Sequence, residues 1–416
     1  MQHPSKARPK PVKIVTGKAP AARAAADGPI KIQTGPDHVA VMAVFVTNQC
    51  NLACTNCCAD TVKMDAAPEH LKWEDFKNAI DIFMDPAQLP HQGQKVICVE
   101  GGETFLVYPL LQQAVEYVQK FPTPPHVYIH TNGTMVKPEQ IQALRKYGVE
   151  ILFSLDGNKE GNDHFRRFPG SADTSVWDAV MKRIEPLPKD GLGINMVVRP
   201  NSIEGLVGAL KTLTEMGFGF INLAIDYYHM WSETDLKKLE KFMDELFDFY
   251  AGYTEKHGKV PFRCGAIHDG LQRVAARKSG KGWWTECVHL ILGSDGNFYS
   301  CEAIGLYPWS EVAGKHSINH CSAGRGIDWA KRQAYMEEAN TVLGEHGKPD
   351  SEWQHMCPRL YYTVAHIEGK DPKDLVDNMH RTSRILHGGL MKLAARLQDN
   401  PSFNKEHILA DVVPGS

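Results

Sequence analysis

The chain has 416 residues, 43% of them hydrophobic, with 46 basic against 49 acidic side chains and a formal charge of −3. That length suits one large α/β domain with a smaller companion. A charge so balanced offers no single-sign field for nucleic acid or an anionic membrane, and no apolar run approaches the roughly eighteen residues of a membrane span.

The first 38 residues are rich in Lys, Ala and Pro, lack the apolar core of a secretory signal, and read as a flexible arm. Ten cysteines without a secretion signal imply a cytoplasmic protein whose clustered thiols are metal ligands, not a disulfide framework. From Val39 to Tyr228, short apolar runs alternate with helical patterns. The unbroken run Val39–Val46 reads as a strand buried on both faces. Further runs follow at Val96–Val99, Val127–His130, Ile151–Leu155, Ile194–Val198 and Ile221–Ile225. Helices are expected over Trp73–Met84, Pro109–Lys120, Pro138–Lys146, Val176–Ile184 and Ser202–Met216, with Gly148 and Gly217 as C-terminal caps. Six β-α alternations imply a parallel sheet, either doubly wound or an incomplete barrel, with ligands at the C-terminal strand ends.

The expected divisions are an arm over 1–38, a core over 39–231, a bridging helix over 232–259, a cysteine-rich domain over 260–370 and a helical tail over 371–416. The cysteine-rich stretch shows few long periodic segments, as in domains held together by a metal.

Directly after the first strand comes Cys50-Asn-Leu-Ala-Cys54-Thr-Asn-Cys57. Three thiolates from one loop can hold three corners of a cubane cluster and leave the fourth iron open. Zinc would require a fourth ligand, and none lies nearby at a suitable spacing. The triplet resembles the signature of the radical S-adenosylmethionine (SAM) superfamily. The resemblance implies a partial (β/α)6 TIM-like barrel, a [4Fe–4S] cluster on Cys50, Cys54 and Cys57, and SAM chelated by the open iron. It also implies electron transfer that splits SAM to methionine and a 5′-deoxyadenosyl radical, which takes hydrogen from a substrate. The family usually has an aromatic residue before the third cysteine; here Asn56 stands there.

Other strand ends match the same family in order. Gly101-Gly102-Glu103 is similar to the Gly-Gly-Glu segment that holds the methionine ammonium. The turn His130-Thr131-Asn132-Gly133 occupies the same rim. Ser154 and Asp156, two residues apart, offer a hydroxyl and a carboxylate suited to a ribose. By resemblance, Arg166 meets the methionine carboxylate, with Arg167 as second choice, and Asn195 and Gly217–Ala224 resemble the remaining cofactor-contacting edges.

The later cysteines are Cys264, Cys287, Cys301, Cys321 and Cys357. Cys287 and Cys301 bracket Gly293-Ser-Asp-Gly296, a hairpin turn that brings both thiols together. This is similar to the family's C-terminal Twitch/SPASM extension. With no compact run of four cysteines, one auxiliary [4Fe–4S] cluster is expected, on Cys287, Cys301, Cys357 and Cys321, with Cys264 in reserve. A zinc site on the same residues is the alternative. Cys98, inside a strand, reads as core.

No catalytic residue is assigned. Glu100, Asp226, Tyr227, Tyr228 and His229 at strand ends could face a substrate. The resemblance implies modification of a peptide or protein, with a small sugar or antibiotic precursor as alternative. It also implies a flavodoxin or ferredoxin reductant, and a separate leader-binding protein. Outside enzymes, the rival is a cysteine-rich zinc-binding interaction protein.

Overall fold

The structure is a computed structural model in which residues 35–55, 57, 67–91, 93–171, 174–226, 228–278, 287–323, 326–345 and 359–407 are described. Residues 1–34 of the N-terminal arm, Asn56, Tyr227 and Cys357 lie outside them.

The six expected strands form: β1 Val41–Phe45, β2 Val96–Glu100, β3 His126–Thr131, β4 Glu150–Ser154, β5 Leu192–Val198 and β6 Ile221–Ile225. Between them run α1 Trp73–Met84, α2 Tyr108–Val118, α3 Pro138–Arg145, α4 Lys159–Phe165, α5 Val176–Ile184 and α6 Leu206–Glu215. The sixth helix begins later than Ser202 because Gly205, at φ +86°, caps it in the left-handed region.

All six strands are parallel neighbours in the order β6-β5-β4-β3-β2-β1. The alternation of burial separates the two architectures left open by the sequence. One face buries Met42, Val44, Ile97, Val99, Val127, Ile129, Ile151, Phe153, Ile194 and Leu223 under the helices. The other face carries Cys98, Glu100, Tyr128, His130, Ser154, Asn195 and Asn222, all only partly buried. A doubly wound sheet would cover both faces with helices; a polar, half-open inner face belongs to a partial barrel. The expectation of a strand buried on both faces therefore holds for β1, with four of its five residues buried, whereas β2, β3 and β6 alternate buried and half-buried residues.

After β6, α7 Glu233–His257 is the expected bridging helix, with Ser232 as its N-terminal cap, and α8 Gly265–Lys278 follows. Next come β7 His289–Leu292 and β8 Asn297–Tyr299, the expected hairpin. Strand β7 pairs in parallel with β1, so the late segment extends the same sheet, and β9 Ser317–His320 completes it beside β8. The cysteine-rich region is richer in helix than expected, with α9 Trp309–His316, α10 Trp329–Glu345 and α11 Arg359–Glu368. Helix α10 escaped the periodicity because its buried side centres on Arg332, which donates to the carbonyls of Cys287 (3.1 Å) and His289 (2.9 Å). The tail forms α12 Lys373–Leu397 and α13 Pro401–His407, with α12 packed along α7. Among the described residues, no helix is long and apolar enough to cross a membrane.

Candidate active site

The cysteine loop leaves β1 at its C-terminal end and is pinned from three directions. The first is the glycine pair after β2. Gly102 N–H donates to Thr47 O (2.7 Å) and Glu103 N–H to Gln49 O (2.8 Å). A methyl at Gly102 would lie 2.2 Å from the Gln49 carbonyl oxygen, and Gly101 sits at φ +151°. These glycines let two backbone segments meet, which is a protein contact where the sequence suggested a ligand contact.

The second direction is the end of β3. Glu103 is buried, and its carboxylate accepts from Thr131 Oγ1 (2.6 Å), Asn132 N–H (2.8 Å) and Phe105 N–H (3.0 Å). Burial raises its pKa against the pull of these donors. Glu103 is thus a brace for the rim, with most of its acceptor capacity filled. It holds Asn132, which donates through Nδ2 to Asn51 Oδ1 (2.9 Å) and reaches Cys50 Sγ at 3.8 Å. Asn51 in turn donates to Thr134 Oγ1 (2.8 Å). Hydrogen bonds of this kind orient a sulfur ligand and tune its cluster.

The third direction is the segment after α4. Ala53 N–H donates to Arg167 O (2.8 Å) and Thr55 N–H to Phe165 O (2.9 Å), so the chain around Arg166 clamps the middle of the loop. Arg166 Nε donates to Asp156 Oδ2 (3.0 Å), while Asp156 Oδ1 accepts from Val197 N–H (2.9 Å). Asp156 is 1% exposed and both its oxygens are engaged within the protein, whereas Ser154, expected to share a ribose with it, is half-buried on the inner face. Asp156 instead fixes a cation beside the cluster loop, and the Arg166 charge acts to lower the Cys54 pKa. Asn195, the register partner of Ser154, accepts from Asn222 Nδ2 (2.8 Å).

Cys50 is buried, Cys54 half-buried and Cys57 exposed. Burial pushes Cys50 up to about 12 and raises Cys54 as well. Without a cation these two thiols keep their protons; cluster ligation replaces the protons with iron. Three thiols on one loop, a donor at one sulfur and a fixed cation beside another fit a [4Fe–4S] cluster with an open corner.

The late cysteines do not gather as expected. Cys287 and Cys301 flank the open end of the β7–β8 hairpin. Cys321 N–H donates to Gly296 O (3.0 Å), which places Cys321 at the turn end. The four residue steps from Asn297, the partner of His320, to Cys301, on the order of 13 Å at about 3.3 Å per residue, lie between Cys301 and Cys321. Cys321 meets Asp75 and His320 instead, and its Sγ donates to the Asp75 carbonyl (3.2 Å). Cys264 is buried beside Leu223 of β6, at the opposite edge of the sheet from β8. The four-ligand set with Cys321, and the reserve role of Cys264, are thereby corrected: a β-hairpin joins its two ends only across its width. Among the other strand-end residues, Asp226 is taken by Arg199 (2.6 Å), Tyr228 is half-buried, His229 is exposed, and Glu100 is half-buried on the inner face.

The sequence missed Thr131, Asn51, Thr134 and the 165–167 clamp; the Asn-Gly turn at 132–133 was their visible trace.

Comparison with known proteins agrees with this geometry. The family model described as "Radical SAM superfamily" matches residues 44–242. The AdoMet-dependent heme synthase of Methanosarcina barkeri is 26% identical over 251 residues, 58% of this chain and 66% of that protein. The antilisterial bacteriocin subtilosin biosynthesis protein AlbA of Bacillus subtilis is 33% identical over 133 residues, 30% of this chain and 26% of that protein. The chain thus spans from a quarter to just under two thirds of these relatives. Among solved structures, anSMEcpe with bound AdoMet and Cp18Cys peptide shares the fold, with a TM-score of 0.64 at 17% identity over 88% of this chain and 99% of that one. Residues 44–242 therefore carry a radical SAM superfamily domain, and the relatives that share it include enzymes.

Proposed function

We propose that the protein is a radical SAM enzyme that modifies a peptide or protein substrate. The observation that carries the reading is the three-way bracing of the Cys50–Cys57 loop by Gly102–Glu103, by Asn132 and by the Arg166 segment. Cys50, Cys54 and Cys57 would hold the cluster, which when bound would supply the reducing electron for radical chemistry with SAM. The protein's own part is to hold three thiolates on a fixed loop and keep Arg166 charged beside them. Ser154 and Asn195 offer polar atoms on the inner face for the nucleoside.

Support for a peptide comes from two sources. One relative is named for the biosynthesis of a bacteriocin, subtilosin. Met135 and Met230, in loops after β3 and β6, are 40% and 52% exposed, and flexible thioethers suit adaptable docking of apolar side chains. A second reading, action on a heme-type tetrapyrrole, draws on the relatives named heme synthase and Fe-coproporphyrin III synthase.

For an auxiliary cluster, Cys287 and Cys301 supply one hairpin end, and Cys357 would have to add a ligand. An iron count tests it: about eight irons per chain for two clusters, about four for one. Reduced protein given SAM should release 5′-deoxyadenosine, and release should quicken with a peptide but not with iron-coproporphyrin. The reverse preference would select the second reading; no deoxyadenosine at all would overturn both.

A further inference from the structure

The inner face of the barrel carries a second set of metal-type side chains, apart from the cysteine loop. Cys98 and Glu100 are successive inward residues of β2, and His130 is the inward residue at the end of neighbouring β3. One ligand atom from each lies within 4.8 Å of the other two. All three are half-buried, so they line the interior without being sealed in it. Cys98 Sγ donates weakly to Glu100 Oε1 (3.4 Å), whereas the His130 imidazole has no hydrogen-bond partner among the described residues. An imidazole with no protein partner, set beside a thiol and a carboxylate, keeps its ring nitrogens available to a ligand.

The surroundings hold the set in place. The turn Glu302–Leu306 enters the inner face, and Gly305 packs on the Phe45 ring so tightly that a methyl would lie 2.4 Å from it. This brings Glu302 close enough to Glu100 and Cys98 for their charges to interact. The other such trio among the described residues, Asp75, His320 and Cys321, differs. There His320 Nδ1 is engaged by Ser322 and Cys321 Sγ by the Asp75 carbonyl.

We propose that Cys98, Glu100 and His130 bind one zinc-type divalent ion inside the barrel, with Glu302 beside its fourth position. One thiolate, one imidazole and one carboxylate are the mixed sulfur, nitrogen and oxygen donors that zinc accepts. Small rotations bring atoms at this spacing to bonds of about 2.0–2.3 Å. Thiolate and carboxylate together neutralise the dication, and the fourth position faces the interior. On the reading of the protein as a radical SAM enzyme, that is where a substrate oxygen would be held.

The test uses the full chain, purified anaerobically with its iron after growth in zinc-supplemented medium. Zinc and iron are counted together, and zinc K-edge absorption reports the ligands. The expected result is about one zinc per chain with a single sulfur neighbour. Cys98→Ser and His130→Gln should each cut zinc at least tenfold with iron unchanged, and Glu100→Gln gives a third variant of near-native size. Circular dichroism confirms which variants are folded. Zinc content unaffected in the folded variants, or zinc with three or four sulfur neighbours lost in Cys301→Ser instead, would overturn the proposal. Zinc with one sulfur in a chain lacking iron would uphold it and sink the cluster reading.

Discussion

The rim of the barrel and the late hairpin both carry cysteines, but the structure treats them differently. At the rim, three cysteines share one loop that is tied to β2, β3 and the 165–167 segment by backbone and side-chain hydrogen bonds. In the late region, Cys301 and Cys321 stand at opposite ends of β8, and Cys264 lies at the far edge of the sheet. Spacing within a loop is a reliable guide to shared ligation because the chain itself limits the distance. Spacing across strands and helices is not, since a residue count says nothing about which end of a strand is reached.

The largest expected effect breaks the comparison at the rim. Changing Cys50, Cys54 and Cys57 to Ala should remove the rim iron and abolish 5′-deoxyadenosine release, measured by iron analysis and chromatography. Changing Cys264 or Cys321 to Ser should leave the iron count unaltered. Next is Asp156→Asn, which leaves the Arg166 guanidinium buried without its anion. Breaking one side of a buried pair costs about 3 kcal/mol, readable as a shift in urea midpoint, and cofactor binding should weaken with it. Gly102→Ala forces the Gln49 carbonyl away. We expect a loss of about 1–3 kcal/mol and lower iron incorporation, because the same backbone carries Cys50.

The smallest effect belongs to the late region. His316 is buried beneath Tyr335 and His366, and burial pushes its pKa from 6.5 down to about 4. Between those values the unfolded chain binds more protons than the folded one, so stability rises with pH across this window. The contribution is complete above pH 6.5 and is lost as pH falls toward 4. His316→Gln should flatten that slope in urea melts between pH 4 and 6.5; an unchanged slope would assign the acid sensitivity elsewhere.

Much of the barrel was legible because its strands and helices obey simple periods. Helices Trp73–Met84 and Val176–Ile184 were bounded to the residue, and the cysteine loop was read as it stands. What stayed hidden depends on contacts between distant segments. Asp156 looked like a ribose ligand until Arg166 and Val197 were seen to occupy it. Cys98 looked like core because a strand in sequence does not reveal that its inner face is open. Helix α10 hid because an arginine sits in its buried side.

The most direct test of the account is a paired count on anaerobically reconstituted protein: iron and sulfide per chain, and 5′-deoxyadenosine formed after adding reductant and SAM. The account predicts that wild-type protein carries at least about four irons and forms deoxyadenosine, and that the Cys50/Cys54/Cys57 triple variant loses about four irons and all of that product. Equal iron and equal deoxyadenosine in the triple variant would contradict it.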